Sequence, residues 1–148
     1  RPENVALLAT GGLSHWPPYW QEDSPDDEMM RRMLKYQTEG LPYLKEDPNL
    51  WVDFGIYEEE MFRNGLTVVN PEWDQEVLAA FARGDADYFK RMTYEDMKKG
   101  GGHGAAEILN WIAVMGATDG AKCNVLLYES VPEWICGMAF VTYEEALK

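Results

Sequence analysis

Proton transfer and metal binding at neutral pH fall mainly to histidine, cysteine and carboxylate side chains, and this chain has only two histidines, His15 and His103, and two cysteines. His15 stands in the stretch ATGGLSHWPPYW, Ala9 to Trp20, where an apolar run ends in paired glycines and a serine and a histidine follow. An imidazole titrates near neutrality, so one held at a cleft can accept and return a proton within a turnover. The glycines let the backbone turn sharply and approach a ligand closely. The same spacing suits a histidine satisfied by hydrogen bonds in a turn. Gly12 and Ser14 beside His15, and Tyr19 and Trp20 in the proline-rich loop past it, are candidates for a pocket that takes a flat ring.

Glu107 lies in the first turn of an otherwise apolar predicted helix. A carboxylate there is stabilised by the helix dipole, which is one reading. The other starts from its neighbours Ala105, Ala106, Ile108 and Leu109: a carboxylate buried among them needs a cation or a metal. His103 stands four positions before Glu107, and adding His15 gives two histidines and one carboxylate, the ligand set of non-haem Fe(II) oxygenases. That trio requires a helix reaching back through Gly104, which disfavours it. Trp16, Trp73 and Trp134 are further aromatics for a pocket, although helical spacing makes Trp73 and Trp111 core residues. No Walker-type phosphate loop, strand-linked GxGxxG or GxSxG elbow is present, and the glycine-rich turn Gly100 to Gly104 lacks a phosphate-binding lysine.

The elements that must position these residues alternate between strand and helix. Val5 to Thr10 is a short apolar run expected to form a buried strand, and such strands suit a parallel sheet covered by helices. Asp27 to Thr38 is expected to be a helix, with acids in its first turn and Gly40 just past its end. Leu41 to Gly65 is expected to be an excursion with short helices, of the kind that forms lids or interfaces. Leu66 to Val69 is strand-like. Asn70-Pro71-Glu72 opens a helix whose face is Trp73, Val77, Leu78 and Phe81, ended by Gly84. Short helices are expected over Asp85 to Lys99. Ala105 to Gly116 is expected to be a helix with Ile108, Trp111, Ile112 and Met115 inward. Strands are expected at Lys122 to Tyr128 and at Trp134 to Thr142, the latter broken at Gly137. The fold class is α/β, a partial sheet with helices packed on it, in a single domain over 1–148 with 21–65 as the excursion.

At 148 residues the chain is long enough for one domain with a real core. A net charge of −13 makes nucleic acid and anionic membranes improbable partners. No apolar run reaches the roughly 20 residues that cross a bilayer. Cys123 and Cys136 are expected to be reduced core thiols of a cytoplasmic protein. The chain starts at Arg1 directly ahead of an apolar run, which raises the expectation of a cleaved or truncated product.

Four stretches, in order, resemble the C-terminal half of the class III (LigB-type) extradiol ring-cleaving dioxygenases, and most closely the 2,3-dihydroxyphenylpropionate dioxygenases. They are GGLSHWPP, VNPEWDQEVLAAFARGD, GGHGAAEILNWIAVMGA and YESVPEWICGMAF, and they cover most of the chain outside Gln21 to Gly65. The resemblance implies that His15 is the catalytic acid/base and that Glu107 is the carboxylate ligand of Fe(II). It places His103 beside the site, in the turn before Glu107, and argues against it as a ligand. It implies a catechol-type small-molecule substrate, O2 as co-substrate and an oligomer. Members of that family take two histidine ligands from an N-terminal half ahead of GGLSH, which is not in this sequence. The missing half, or a partner chain, is then expected to supply them. A non-catalytic subunit or binding module of the same fold is the alternative: absent ligand histidines favour it, and an intact GGLSH with Glu107 counts against it.

Overall fold

The computed structural model describes residues 6–22, 24–66 and 69–143. They divide into two compact units, one within Arg1–Trp16 and Val68–Lys148, the other within Pro17–Thr67.

The first unit holds helices α3 (Pro71–Arg83), α4 (Ala86–Arg91), α5 (Tyr94–Gly101) and α6 (Ile108–Ala117), and strands β1 (Cys123–Val131) and β2 (Cys136–Tyr143). Asn70 caps α3 by accepting the Trp73 N–H, Pro71 takes the first turn where its missing N–H costs nothing, and Gly84 closes the helix at φ 67°. The expected apolar face is inside: Trp73, Val77, Leu78 and Phe81 are all buried, with Phe81 stacked against Phe89 at 4.2 Å between ring centroids. Ile108, Trp111 and Met115 meet them from α6, with Ile112 packed against the margin. α3 packs across β1. The unit is thus α/β, helices on a partial sheet.

Three details differ from the expectations. The sheet is an antiparallel pair, not a parallel one, because only Pro132–Trp134 in a 3-10 turn and Ile135 in the left-handed region separate the strands. A parallel pair needs a crossover of a dozen residues or more. The irregularity lies in β1, between Val125 and Leu127, and not at Gly137, which pairs in register with Ser130. Ala6 to Thr10 form no strand and are mostly exposed, since neither β1 nor β2 extends to partner them and unpaired backbone groups stay in water. Val5, Thr67 and Val68, parts of the two other expected strands, lie outside the described residues; Leu66 is exposed and in no strand. Cys123 and Cys136 are free, one at each end of the hairpin.

The second unit holds α1 (Glu28–Glu39), a 3-10 turn (Leu41–Lys45) and α2 (Leu50–Arg63). Asp27 caps α1 through the Met30 N–H at 2.8 Å. Met29, Met30 and Met33 of α1 bury against Tyr43, Leu50 and Phe54. Arg32 holds the turn with two bonds to Asp47, at 2.7 and 2.9 Å, and one to Asp53 at 2.8 Å. No described helix is long and apolar enough to cross a membrane.

Candidate active site

The segment Leu13–Ser14–His15 is bonded on both sides although it belongs to neither strand. The Leu13 N–H donates to the Gly137 carbonyl at 3.0 Å, and the Gly137 N–H donates to the Ser14 carbonyl at 2.8 Å. On the other side, the His15 N–H donates to the Gly101 carbonyl at 2.7 Å, and the Gly104 N–H donates to the His15 carbonyl at 3.2 Å. Gly101 ends α5, so its carbonyl is one of those a helix terminus leaves without an internal partner. Every backbone polar group from the Leu13 N–H to the His15 carbonyl therefore has a partner. The result is a rigid mount for a largely buried imidazole, 9% exposed.

The His15 Nδ1 lies 3.0 Å from the Leu13 carbonyl oxygen. A carbonyl can only accept, so Nδ1 carries the hydrogen, and in the neutral ring Nε2 keeps its lone pair. Nε2 faces Glu107, 3.8 Å from Oε2. Gly104 brings the chain against the imidazole so closely that a Cβ there would overlap the ring.

Glu107 ends a 3-10 turn, Ala105–Glu107, and leads into α6. Its Oε2 accepts the Gly12 N–H at 2.9 Å across 95 positions of sequence. Asn110 donates to the Thr10 carbonyl at 2.9 Å and the Trp111 indole to the Gly11 carbonyl at 3.2 Å, so three residues of this region staple Thr10 and the paired glycines. Gly11 has φ 155°, and a Cβ on it would come within 2.8 Å of Glu107 Cβ. The glycines thus let the chain lie against Glu107. The Glu107 side chain is 50% exposed, accessible to a ligand rather than sealed in the core.

His15, Glu107, Gly12 and Ser14 come together. His103 stands half-buried in the turn between α5 and Glu107. Tyr19 and Trp20 belong to the second unit, where Tyr19 sits 6.0 Å from Phe54 and the Trp20 N–H donates to Gln37 at 3.0 Å. Among the other aromatics, Trp73 is core and Trp134 is exposed. Among the described residues, no three His, Cys, Asp or Glu side chains converge to hold a metal, so the His15, His103, Glu107 trio does not form. The helix that would have aligned His103 with Glu107 starts only at Ile108. These residues alone do not make an iron site: Glu107 offers one carboxylate, and the set lacks the imidazole ligands to go with it.

One residue that the motifs passed over is central. Asp74 of α3 is fully buried. Its Oδ1 accepts the Ser14 N–H at 2.7 Å, and its Oδ2 accepts the Ser14 and Tyr128 hydroxyls, each at 2.9 Å. Ser14 Oγ in turn accepts the Asn70 N–H at 2.9 Å. Burial pushes the Asp74 carboxyl above its ordinary range against the pull of these donors. The available signal was position, since Asp74 shares the helix face of Val77, Leu78 and Phe81 and an acid on an apolar stripe demands partners. Cys136, beside Gly12, is pushed up to about 11 by burial and then by the charges of Asp74 and Glu107, so it is a neutral thiol at pH 7. A surface cleft of about 440 Å³, bordered by Trp73, Glu76, Tyr88, Arg91 and Lys99, opens elsewhere on this unit and includes neither His15 nor Glu107.

The family model described as the catalytic LigB subunit of aromatic ring-opening dioxygenase matches residues 1–140. The 2,3-dihydroxyphenylpropionate/2,3-dihydroxicinnamic acid 1,2-dioxygenase of Paraburkholderia phymatum is 29% identical to the chain, over 97% of the chain and 46% of that protein. The enzyme of the same name from Rhodococcus globerulus is 30% identical, over 95% of the chain and 45% of that protein. The chain spans less than half the length of these curated relatives. By the extent of the family match, the chain belongs to the LigB family of catalytic subunits of aromatic ring-opening dioxygenases.

Proposed function

We propose that this chain supplies the proton carrier and the carboxylate arm of a non-haem Fe(II) extradiol dioxygenase that cleaves a catechol-type ring with O2. The observation that carries the reading is the approach of His15 Nε2 to within 3.8 Å of Glu107 Oε2. The proton acceptor thereby lies beside an accessible carboxylate. His15 takes a hydroxyl proton from the ring substrate at Nε2 and returns it as the ring opens, while the Leu13 carbonyl holds Nδ1–H and keeps Nε2 available. Glu107 serves as one metal ligand, its Oε2 oriented by the Gly12 N–H. Fe(II), when bound, supplies Lewis acidity toward the ring hydroxyls. Gly12, Ser14 and His103 frame this site.

The two imidazole ligands come from the missing N-terminal half or from a partner chain. The outer face of the hairpin supports such a partner, since Leu126, Leu127, Met138 and Phe140 are exposed there. Contiguous apolar patches of this sort mark protein interfaces. The two free thiols support a reducing, cytoplasmic setting. The alternative reading, a non-catalytic subunit of the same fold, draws on the incomplete ligand set.

The test joins the chain to the missing half and measures bound iron and ring cleavage. Loss of a general acid/base costs typically 10²–10⁴-fold, so His15→Ala should reduce turnover by about that factor with iron retained. Glu107→Ala should strip the metal. Iron lost from His15→Ala would make His15 a ligand, and iron and activity kept in Glu107→Ala would remove Glu107 from the site. A joined protein that binds no iron at all would favour the non-catalytic subunit.

A further inference from the structure

We infer that Asp74 is the positioning residue of this site: by clamping Ser14 at both its backbone N–H and its hydroxyl, it holds the His15 imidazole in the Nδ1–H tautomer with Nε2 toward Glu107. For the use made of that imidazole, the inference rests on the proposed function; for the tautomer itself, it stands on the geometry alone.

Ser14 lies between the two groups that define the imidazole's state. Leu13, just before it, provides the carbonyl that accepts from Nδ1 at 3.0 Å, and His15 just after it carries the ring. A shift of Ser14 therefore moves acceptor and ring relative to one another. The Asp74 carboxylate opposes such a shift with bonds of 2.7 Å to the Ser14 N–H and 2.9 Å to its hydroxyl. Bonds to an ionised carboxylate are shorter and stronger than those between neutral groups.

Asp74 is itself fixed. It rides in the first turns of α3, takes a third bond from the Tyr128 hydroxyl of β1, and faces Gly137 of β2 so closely that a Cβ there would overlap Oδ2. The backbone N–H of Asn70 holds Ser14 Oγ, and Asn70 Nδ2 donates to the Gly100 carbonyl at 2.8 Å. One buried carboxylate thus ties α3, β1 and the histidine segment together. A buried charge with all its donors supplied is stiff, because breaking any bond leaves an unpaired group away from water. An imidazole in water favours hydrogen on Nε2, the opposite of the state this geometry imposes, so the tautomer is a direct reporter of the clamp.

The experiment uses the full chain labelled with 15N and reads the ring nitrogens of His15 at a pH where the ring is neutral, with His103 as internal reference. In the unmodified chain, Nδ1 should show the protonated-type shift and Nε2 the unprotonated one. Asp74→Asn keeps an oxygen for the Ser14 N–H and should preserve that pattern. Asp74→Ala should bring the two shifts together toward those of a histidine in an unstructured peptide, with His103 unmoved. Ser14→Ala removes the hydroxyl link to Asp74, together with the acceptor of the Asn70 N–H, keeps the Ser14 N–H bond to Asp74, and should show a partial convergence; it provides the reading if Asp74→Ala does not fold. An unchanged His15 pattern in folded Asp74→Ala, or in folded Ser14→Ala, overturns the inference. Neither result depends on iron or turnover, so failure of the dioxygenase reading would show separately, in the joined protein.

Discussion

Replacing Gly104 with alanine tests the packing of the imidazole directly. Gly104 has φ −80° and ψ −18°, a region open to any residue, so the backbone itself tolerates the change. The added methyl would lie 2.6 Å from His15 Cε1 and nearer still to other ring atoms, where about 3.5 Å is comfortable. The ring must retreat by roughly 1 Å, which breaks its bond to the Leu13 carbonyl at a cost of about 1 kcal/mol. Overpacking of a filled site adds about 1–3 kcal/mol. Restriction of the unfolded chain offsets about 0.4–1 kcal/mol of this. The net loss is on the order of 2 kcal/mol. Gly116→Ala is the matched control: it lies within α6 with nothing inside 4 Å of its Cβ, so it should gain up to about 1 kcal/mol. Urea denaturation followed by tryptophan fluorescence measures both, and the His15 ring proton resonances report whether the imidazole moved. A Gly104→Ala chain as stable as the parent, with those resonances in place, would refute the close packing of Gly104 on His15.

Asn70→Ala removes both the cap on Trp73 N–H and the bond to the Gly100 carbonyl, and should cost about 1–2 kcal/mol in the same denaturation assay. The Asp74 carboxyl is raised above its usual 3.8, so its contribution is present below that value and is lost as pH rises through the folded-state value. The stability of the parent relative to Asp74→Asn should therefore fall as pH climbs from about 4 toward neutrality; a rise over that window would mean that the donors outweigh burial. Charging the outer hairpin face with Leu127→Lys and Phe140→Lys should change stability by less than about 0.5 kcal/mol each. The same pair should abolish assembly with the complementary half in size-exclusion chromatography.

Much of the scaffold was legible because its signals are local. Asn70-Pro71 and Gly84 bound α3, Asp27 and Gly40 bound α1, and the apolar faces of α3 and α6 follow from helical spacing. Residues 21–65, read from the sequence as an excursion, lie within the second unit, Pro17–Thr67. The strand expected before Thr10 was not legible in the same way, because an apolar run becomes a strand only where a neighbour takes its hydrogen bonds, and β1 and β2 pair with each other. The antiparallel direction of the hairpin follows from its short connection, and the strand spans read from the sequence, ending at Tyr128 and resuming at Trp134, leave only a short stretch for it.

At the site, sequence alone could nominate His15 and Glu107 from their residue types and from family resemblance. It could not say that Oε2 and Nε2 lie 3.8 Å apart, since that depends on Gly12 crossing to Glu107 over 95 positions. Gly104 and the family resemblance both spoke against His103 as a ligand, and a 3-10 turn stands where its spacing to Glu107 assumed a helical one. Asp74, by contrast, was hidden. Its three donors come from Ser14 and Tyr128, which lie 60 and 54 positions from it in the sequence, and only the folded chain brings them to one carboxylate. Local chemistry names the groups; long-range hydrogen bonding, possible only once the core has closed, decides which of them act on one another.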